Sequence, residues 1–306
     1  MKTNALISRL NTLFVTIFLV YACKKSITDY SYNSTGNPSG NNPNVGFGKD
    51  STLVQSADSI PFPNTVNFDC TGPNYGDSII YPQPEPTFKD YIVQPINNPG
   101  SGRYMAWPGG LQINPSTGEI DVTRSVNGTR YIIGFVKEGS SDTCLTNLIL
   151  AGAAYMDSVY VLADNQKYAN PYFDANPQVP SMCSSGSPGG SGCQWDITGA
   201  AKLQNVIIDN NTGIIDLYNT IKGAFGPLPI NGTVVQSTFS YQLSGPSNMA
   251  IQQASIQLMY YDKKSNIPQA VLDQITGRRN NILQDLLIVL SGGKPKPPLL
   301  VITRSN

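Results

Sequence analysis

The chain is 306 residues long, enough for one large folded unit or two ordinary ones. Its 20 basic and 20 acidic side chains cancel and form only 13% of the residues, so no positive excess exists to neutralise nucleic-acid phosphates. There is no histidine, which excludes Ser-His-Asp and Cys-His catalysis, histidine-ligated zinc and imidazole proton transfer. Carboxylate chemistry stays open, but glutamate occurs only at Glu85, Glu119 and Glu138, and no aspartate sits in a recognisable catalytic setting. No cofactor is expected.

The first eleven residues carry Lys2 and Arg9 and no acid, and Leu13 to Ala22 is an apolar run. A bilayer-spanning helix needs about 20 residues, so this shorter run suits the core of a signal peptide over 1–22. The run ends Val20-Tyr21-Ala22-Cys23, which resembles the lipobox of bacterial lipoproteins. That resemblance implies cleavage before Cys23 and a lipid on its sulfur. Lys24 stands where an aspartate would signal inner-membrane retention, so the implied address is the outer membrane. Cys23-Lys24-Lys25-Ser26 also resembles the start of surface lipoproteins associated with starch-utilisation systems. Their acidic export cluster is absent, since Ser26, Ile27 and Thr28 precede Asp29, so the periplasmic and surface faces both stay open. Asp-Ser pairs followed by Thr, Ile or Val at Asp50, Asp58, Asp77 and Asp157 resemble the O-glycosylation sites of that group. Residues 23–50 are rich in Asn, Gly, Ser and Pro and read as a flexible tether.

The mature chain repeats itself. LQINPSTGEIDV at 111–122 returns as VIIDNNTGIIDL at 206–217. Apolar residues alternate before the turn (Leu111 and Ile113; Val206 and Ile208) and after it (Ile120 and Val122; Ile215 and Leu217). Period two predicts a pair of half-buried strands in each copy. Between them Asn114 or Asp209 can bond its own backbone, and Gly118 or Gly213 can take a positive φ. Asn-Gly-Thr follows each hairpin, at Asn127 and Asn231, and further β-rich runs come next.

Gly110 to Ile120 and then Asn127-Gly128-Thr129-Arg130-Tyr131 resemble the immunoglobulin- or cadherin-like domains of bacterial surface proteins. The second copy keeps the hairpin, inserts 222–230 and lacks the tyrosine. The resemblance implies a mostly β fold of two tandem immunoglobulin-like sandwiches, at 51–164 and 196–306, serving as spacer or binding modules. A loop over 165–195 would separate them. A C-terminal helix over 268–290, interrupted at Gly277, should cap the second sandwich, with a last strand at 299–303.

Besides Cys23 there are four cysteines. Export permits disulfides, and Cys183 and Cys193 flank a Ser/Gly run that can close on itself. Cys70 and Cys144 form the remaining pair, as a bridge or as two thiols. No spacing suits a metal site. Tyr168, Tyr172, Phe173 and Trp195 lie in or beside the long loop, where aromatic rings could stack on a ligand or simply pack beneath it.

The expected function is therefore non-enzymatic: a lipid-anchored envelope protein serving in surface binding, adhesion or as an accessory module. A glycan-binding component of a polysaccharide-uptake system is the alternative, and a carboxylate-dependent hydrolase the third reading. The partners implied are the membrane, through the lipid, and an extracellular glycan or protein. Replacing Cys23 by serine should leave an unacylated precursor that still carries its signal. A Cys23→Ser protein that matures to the wild-type mass and stays with membranes would overturn the lipobox reading.

Overall fold

In the computed structural model, residues 70–85, 89–183, 192–283 and 297–306 are described, all of them within the unit Gly48–Asn306. The expected signal peptide, Cys23 and the expected tether lie outside the described residues. Strands dominate. In the first half they are β1 (Ile79–Ile80), β2 (Ile92–Val93), β3 (Gly102–Trp107), β4 (Gln112–Ile113), β5 (Ile120–Asp121), β6 (Thr129–Lys137) and β7 (Thr143–Leu150). The second half continues with β8 (Ala153–Tyr155), β9 (Ser158–Val161), β10 (Tyr168–Ala169), β11 (Pro171–Phe173) and β12 (Gln194–Trp195). Helix α1 (Ala200–Leu203), β13 (Ile215–Asp216), helix α2 (Leu217–Ala224), β14 (Val234–Gln242) and β15 (Ile251–Lys263) follow. Helix α3 (Gln269–Leu283) and β16 (Leu299–Ser305) complete the order.

The two hairpins form as their sequences predict. β4 pairs antiparallel with β5, and Ile208 bridges Ile215. At each turn a side-chain oxygen captures two backbone N–H groups: Asn114 accepts from Ser116 and Thr117, and Asp209 from Asn211 and Thr212. Gly118 and Gly213 take φ of 74° and 73°. The likeness then extends well beyond the hairpins. Tyr104 donates its N–H to the carbonyl of Pro115, and Trp195 does the same to that of Asn210. The Tyr75 hydroxyl donates to the Gly118 carbonyl at 2.7 Å, and the Tyr155 hydroxyl to that of Gly213 at 2.5 Å. A flanking strand pairs in the same register, Ile92 and Val93 with Asp121 and Ile120, Tyr168 and Ala169 with Asp216 and Ile215.

These equivalences set Tyr75 against Tyr155, so the second repeat begins at about residue 153. Buried side chains between Tyr75 and Leu150 form one apolar cluster, most of those between Ala153 and Ile302 a second, and Tyr261, Ile267, Ile275, Leu299 and Val301 a third. Within 51–164, which the sequence reads as the first unit, β9 pairs with β16 in the five-stranded sheet. The segment 165–195, read as a loop between units, lies inside the second repeat and carries β10, β11 and β12.

Each repeat has one main sheet. The first runs β1-β7-β6-β3, antiparallel except that β1 lies parallel to β7. The second runs β12-β14-β15-β16-β9, with β16 parallel to both neighbours. Thus β16 occupies a place between β15 and β9 that has no counterpart in the first sheet. Helix α3 connects β15 to β16 and continues through Gly277, where an added Cβ would meet nothing within 4 Å among the described residues. It caps the sheet: Ile275 packs with Tyr261, Leu299 and Val301.

Both disulfides are formed, Cys70–Cys144 and Cys183–Cys193. Cys183 and Cys193 are buried in the second apolar cluster, so this bridge belongs to the core as well as to the loop it closes.

A methyl group on either hairpin glycine would meet an aromatic ring, Tyr104 at 2.5 Å for Gly118 and the Trp195 indole for Gly213. Left-handed backbone strain adds to that clash. Gly118→Ala and Gly213→Ala should each cost roughly 2–4 kcal/mol in denaturant unfolding. A neutral result at either site would contradict the shared corner.

Candidate functional site

The four aromatics singled out in the sequence separate on folding. Tyr168 on β10 is 57% exposed, and Tyr172 on β11 is half-buried, with burial pushing its phenol up. Phe173 and Trp195 are fully buried and cannot meet a ligand. The reason is pairing. β11 joins β8 and β12 joins β14, so what reads as a loop is strand that sends alternate side chains inward. Trp195 stacks on Tyr241 with ring centroids 4.9 Å apart, and Phe173 meets it edge-on at 6.5 Å.

The exposed apolar side chains are unevenly distributed. Among the described residues twelve large hydrophobics are exposed, and eight of these fall between Tyr168 and Val234 in the second repeat. Tyr168, Ile207 and Tyr218 surround the hairpin base. Leu203 on α1 is 85% exposed, Leu228 86% and Ile230 74%, and Ile197 and Val234 complete the eight. The elements carrying Tyr168, Leu203, Ile207 and Tyr218 adjoin one another. β10 pairs with β13, and the Ile207 N–H donates to Thr220 Oγ1 on α2. The backbone of α2 at Gly223 lies close against Asn205, just beyond α1.

Local sequence builds this surface. Asp216 caps α2 by accepting from the Asn219 N–H, as Asp121 accepts from that of Arg124. In the first repeat the chain after the aspartate stays a turn; in the second, Leu217, Thr220 and Ile221 bury at helical spacing and the turn extends into α2. Pro227 and Pro229 then restrict the backbone on either side of Leu228. Asn231 fixes the end of the insertion, donating to Asp262 Oδ1 at 2.8 Å and accepting from the Asp262 N–H at 2.7 Å. Donors from Asn231 and Asn266 hold that carboxyl below the usual range. Lys222 and Lys167 place their ammonium groups 3.8 and 5.4 Å from the Tyr218 ring centre, so cations flank the apolar area. At the position matching Tyr168 the first repeat has Ile92.

No protein-family model matches the chain, and no curated protein does.

The buried carboxylates are held by the fold itself. Asp157 Oδ1 accepts from the Leu299 N–H at 2.9 Å and from Arg278 Nη1 at 3.1 Å. Asp196 accepts from the N–H groups of Ala201 and Lys202 at the start of α1. Asp174 accepts from the Gly152 N–H at 3.1 Å and lies 3.5 Å from the Tyr81 hydroxyl, bonding the second repeat to the first. Burial raises the Asp157 and Asp174 carboxyls above their ordinary value against those bonds. Asp77-Ser78 lies exposed before β1, whereas Asp157 is buried. Among the described residues no three Cys, Asp or Glu side chains gather to hold a metal ion.

Because folding raises the Asp174 pKa, the folded state binds the proton more tightly than the unfolded chain. Its contribution to stability is therefore greatest in acid and declines as pH rises above about 4. Asparagine keeps an acceptor for Gly152 and tolerates the local φ of 52°. Asp174→Asn should gain stability relative to wild type between pH 4 and pH 7.5 in guanidinium titrations. A relative loss over that interval would reverse the assignment.

Proposed function

We propose that this chain is a lipid-anchored envelope protein of two tandem immunoglobulin-like repeats, which binds a protein partner through the apolar surface of the second. The carrying observation is the concentration of exposed Leu, Ile and Tyr side chains between Tyr168 and Val234. Apolar side chains left in water on adjoining elements are the surfaces through which proteins pair. Its composition favours protein over glycan. Leu203, Leu228 and Ile230 offer aliphatic area suited to an apolar partner, whereas sugars are gripped by aromatic faces and convergent polar groups. Two exposed tyrosines, Tyr168 and Tyr218, are what a glycan reading would rest on.

The immunoglobulin-like reading draws support from the hairpin motif and from a parallel strand at one edge of each main sheet, β1 in one and β9 in the other. A non-catalytic role is supported by the buried aspartates, whose oxygens hold backbone N–H groups and Arg278.

A photo-crosslinking residue at Ile207 of the full chain, in cells that carry the protein in their envelope, tests the reading. A discrete protein adduct should form and fall at least tenfold with Leu203→Ser or Leu228→Ser, but persist with Ile96→Ser on the first repeat. These exposed substitutions should shift stability by no more than about 0.5 kcal/mol. Adducts indifferent to all three changes would remove the surface. Glycan-array binding lost with Tyr168→Ala and kept with Leu228→Ser would replace protein by glycan.

A further inference from the structure

At the entrance to the first repeat a covalent bond bypasses most of it. Cys70 is joined to Cys144, 74 residues further along. Nearly everything that builds the first repeat, from Tyr75 through β6, hangs as a closed loop off the line from Cys70 to Cys144. From there the line follows β7 to Leu150 and passes through Ala151 and Gly152 into β8. β7 is an inner strand, paired with β6 over eight positions and with β1 over two. A strand already spans about 3.3–3.4 Å per residue, close to the limit of a stretched chain, so tension along it finds almost no length to draw out.

The exit is also secured. Asp174 exchanges two hydrogen bonds with Gly152, donating its N–H to the Gly152 carbonyl at 2.8 Å and accepting at Oδ1. The Ala153 N–H donates to the Tyr241 hydroxyl at 2.9 Å, and that hydroxyl donates to Gln252 Oε1. The line leaving β7 is thus bonded at once to β14 and β15, at the heart of the second sheet.

We propose that the Cys70–Cys144 bond is a load bypass. Tension arriving from the N-terminal side crosses the disulfide, runs along β7 and enters the second repeat, while the first repeat stays folded and does not lengthen. Its purpose rests on the anchored-binder reading, because an anchor before Cys70 and a partner on the second repeat would load this line. Reduction would cancel the bypass and put the first repeat under load.

Single-molecule stretching tests the load path without lipid or partner. The full chain carrying Cys23→Ser is held by peptide tags at its two ends, with both bridges intact. Stretching should give unfolding steps from the second repeat only. Adding a thiol reductant to the loaded molecule should then release roughly 25 nm of extra length, the reach of 74 residues. Opening Cys183–Cys193, with a separation of 10, releases only about 3 nm and is told apart by size. The Cys70→Ser/Cys144→Ser pair should show the longer extension without reductant. An intact chain that already yields the full length, or one that reductant lengthens by 3 nm alone, overturns the proposal. Neither result bears on the anchor, which Cys23→Ser fractionation tests separately.

Discussion

In both repeats a glycine at the end of a hairpin turn gives its carbonyl to a tyrosine hydroxyl from upstream while its Cα lies against an aromatic ring. Three demands meet at that one residue. The turn requires positive φ, the ring leaves no space for a side chain, and the buried phenol needs an acceptor because an unpaired hydroxyl in a core is costly. Meeting them ties four separate pieces of chain together: the leading tyrosine, the aromatic on β3 or β12, the turn, and through the hairpin the flanking strand β2 or β10. The remaining core packs around this corner. That both copies satisfy it with different rings, Tyr104 and Trp195, shows that geometry is retained where residue identity is not.

From this common frame the repeats diverge at their margins. The first is closed early: β1 pairs directly with β7, and the Cys70 bridge fastens the entering chain. The second has accepted additions at two places. One is the helix and proline-flanked insertion after Asp216, which bring apolar side chains to the surface. The other is the α3–β16 extension, which widens the sheet and buries its own apolar residues beneath the helix. The additions differ in outcome, since one increases exposed apolar area and the other covers it.

The hairpins, their turn chemistry, the closing strand and the Cys183–Cys193 bridge were legible because each depends on residues close together in the chain. The leading tyrosines were not. Tyr75-Gly76-Asp77-Ser78-Ile79 and Tyr155-Met156-Asp157-Ser158-Val159 are themselves a repeat, but the short polar motif reads first as a turn or a modification site. Phe173 and Trp195 misled for a related reason. Gly, Pro and Ser around them signal loop, while their strand character comes from β8 and β14, distant partners that no local pattern reveals. Helix α2 offered three apolar positions at helical spacing, too few to stand out. Gly277 suggested a break, yet a glycine on a helix surface with nothing pressing on it costs only about 1 kcal/mol and need not end the helix.

The position of β16 has a consequence for how the protein comes into being. Among the described residues β9 pairs only with β16, and Asp157 just before it waits for Leu299, 142 residues later in the chain. A protein that is made from its N-terminus can close its first repeat while the second sheet still lacks its fourth strand. During that interval β9 and the flank of β15 present unpaired backbone and apolar side chains, the state most prone to pairing with the wrong neighbour. Non-local closure of this kind also slows folding, because the loop entropy is spent before the contacts return it. The second repeat is therefore the part of this molecule for which a folding chaperone would matter most.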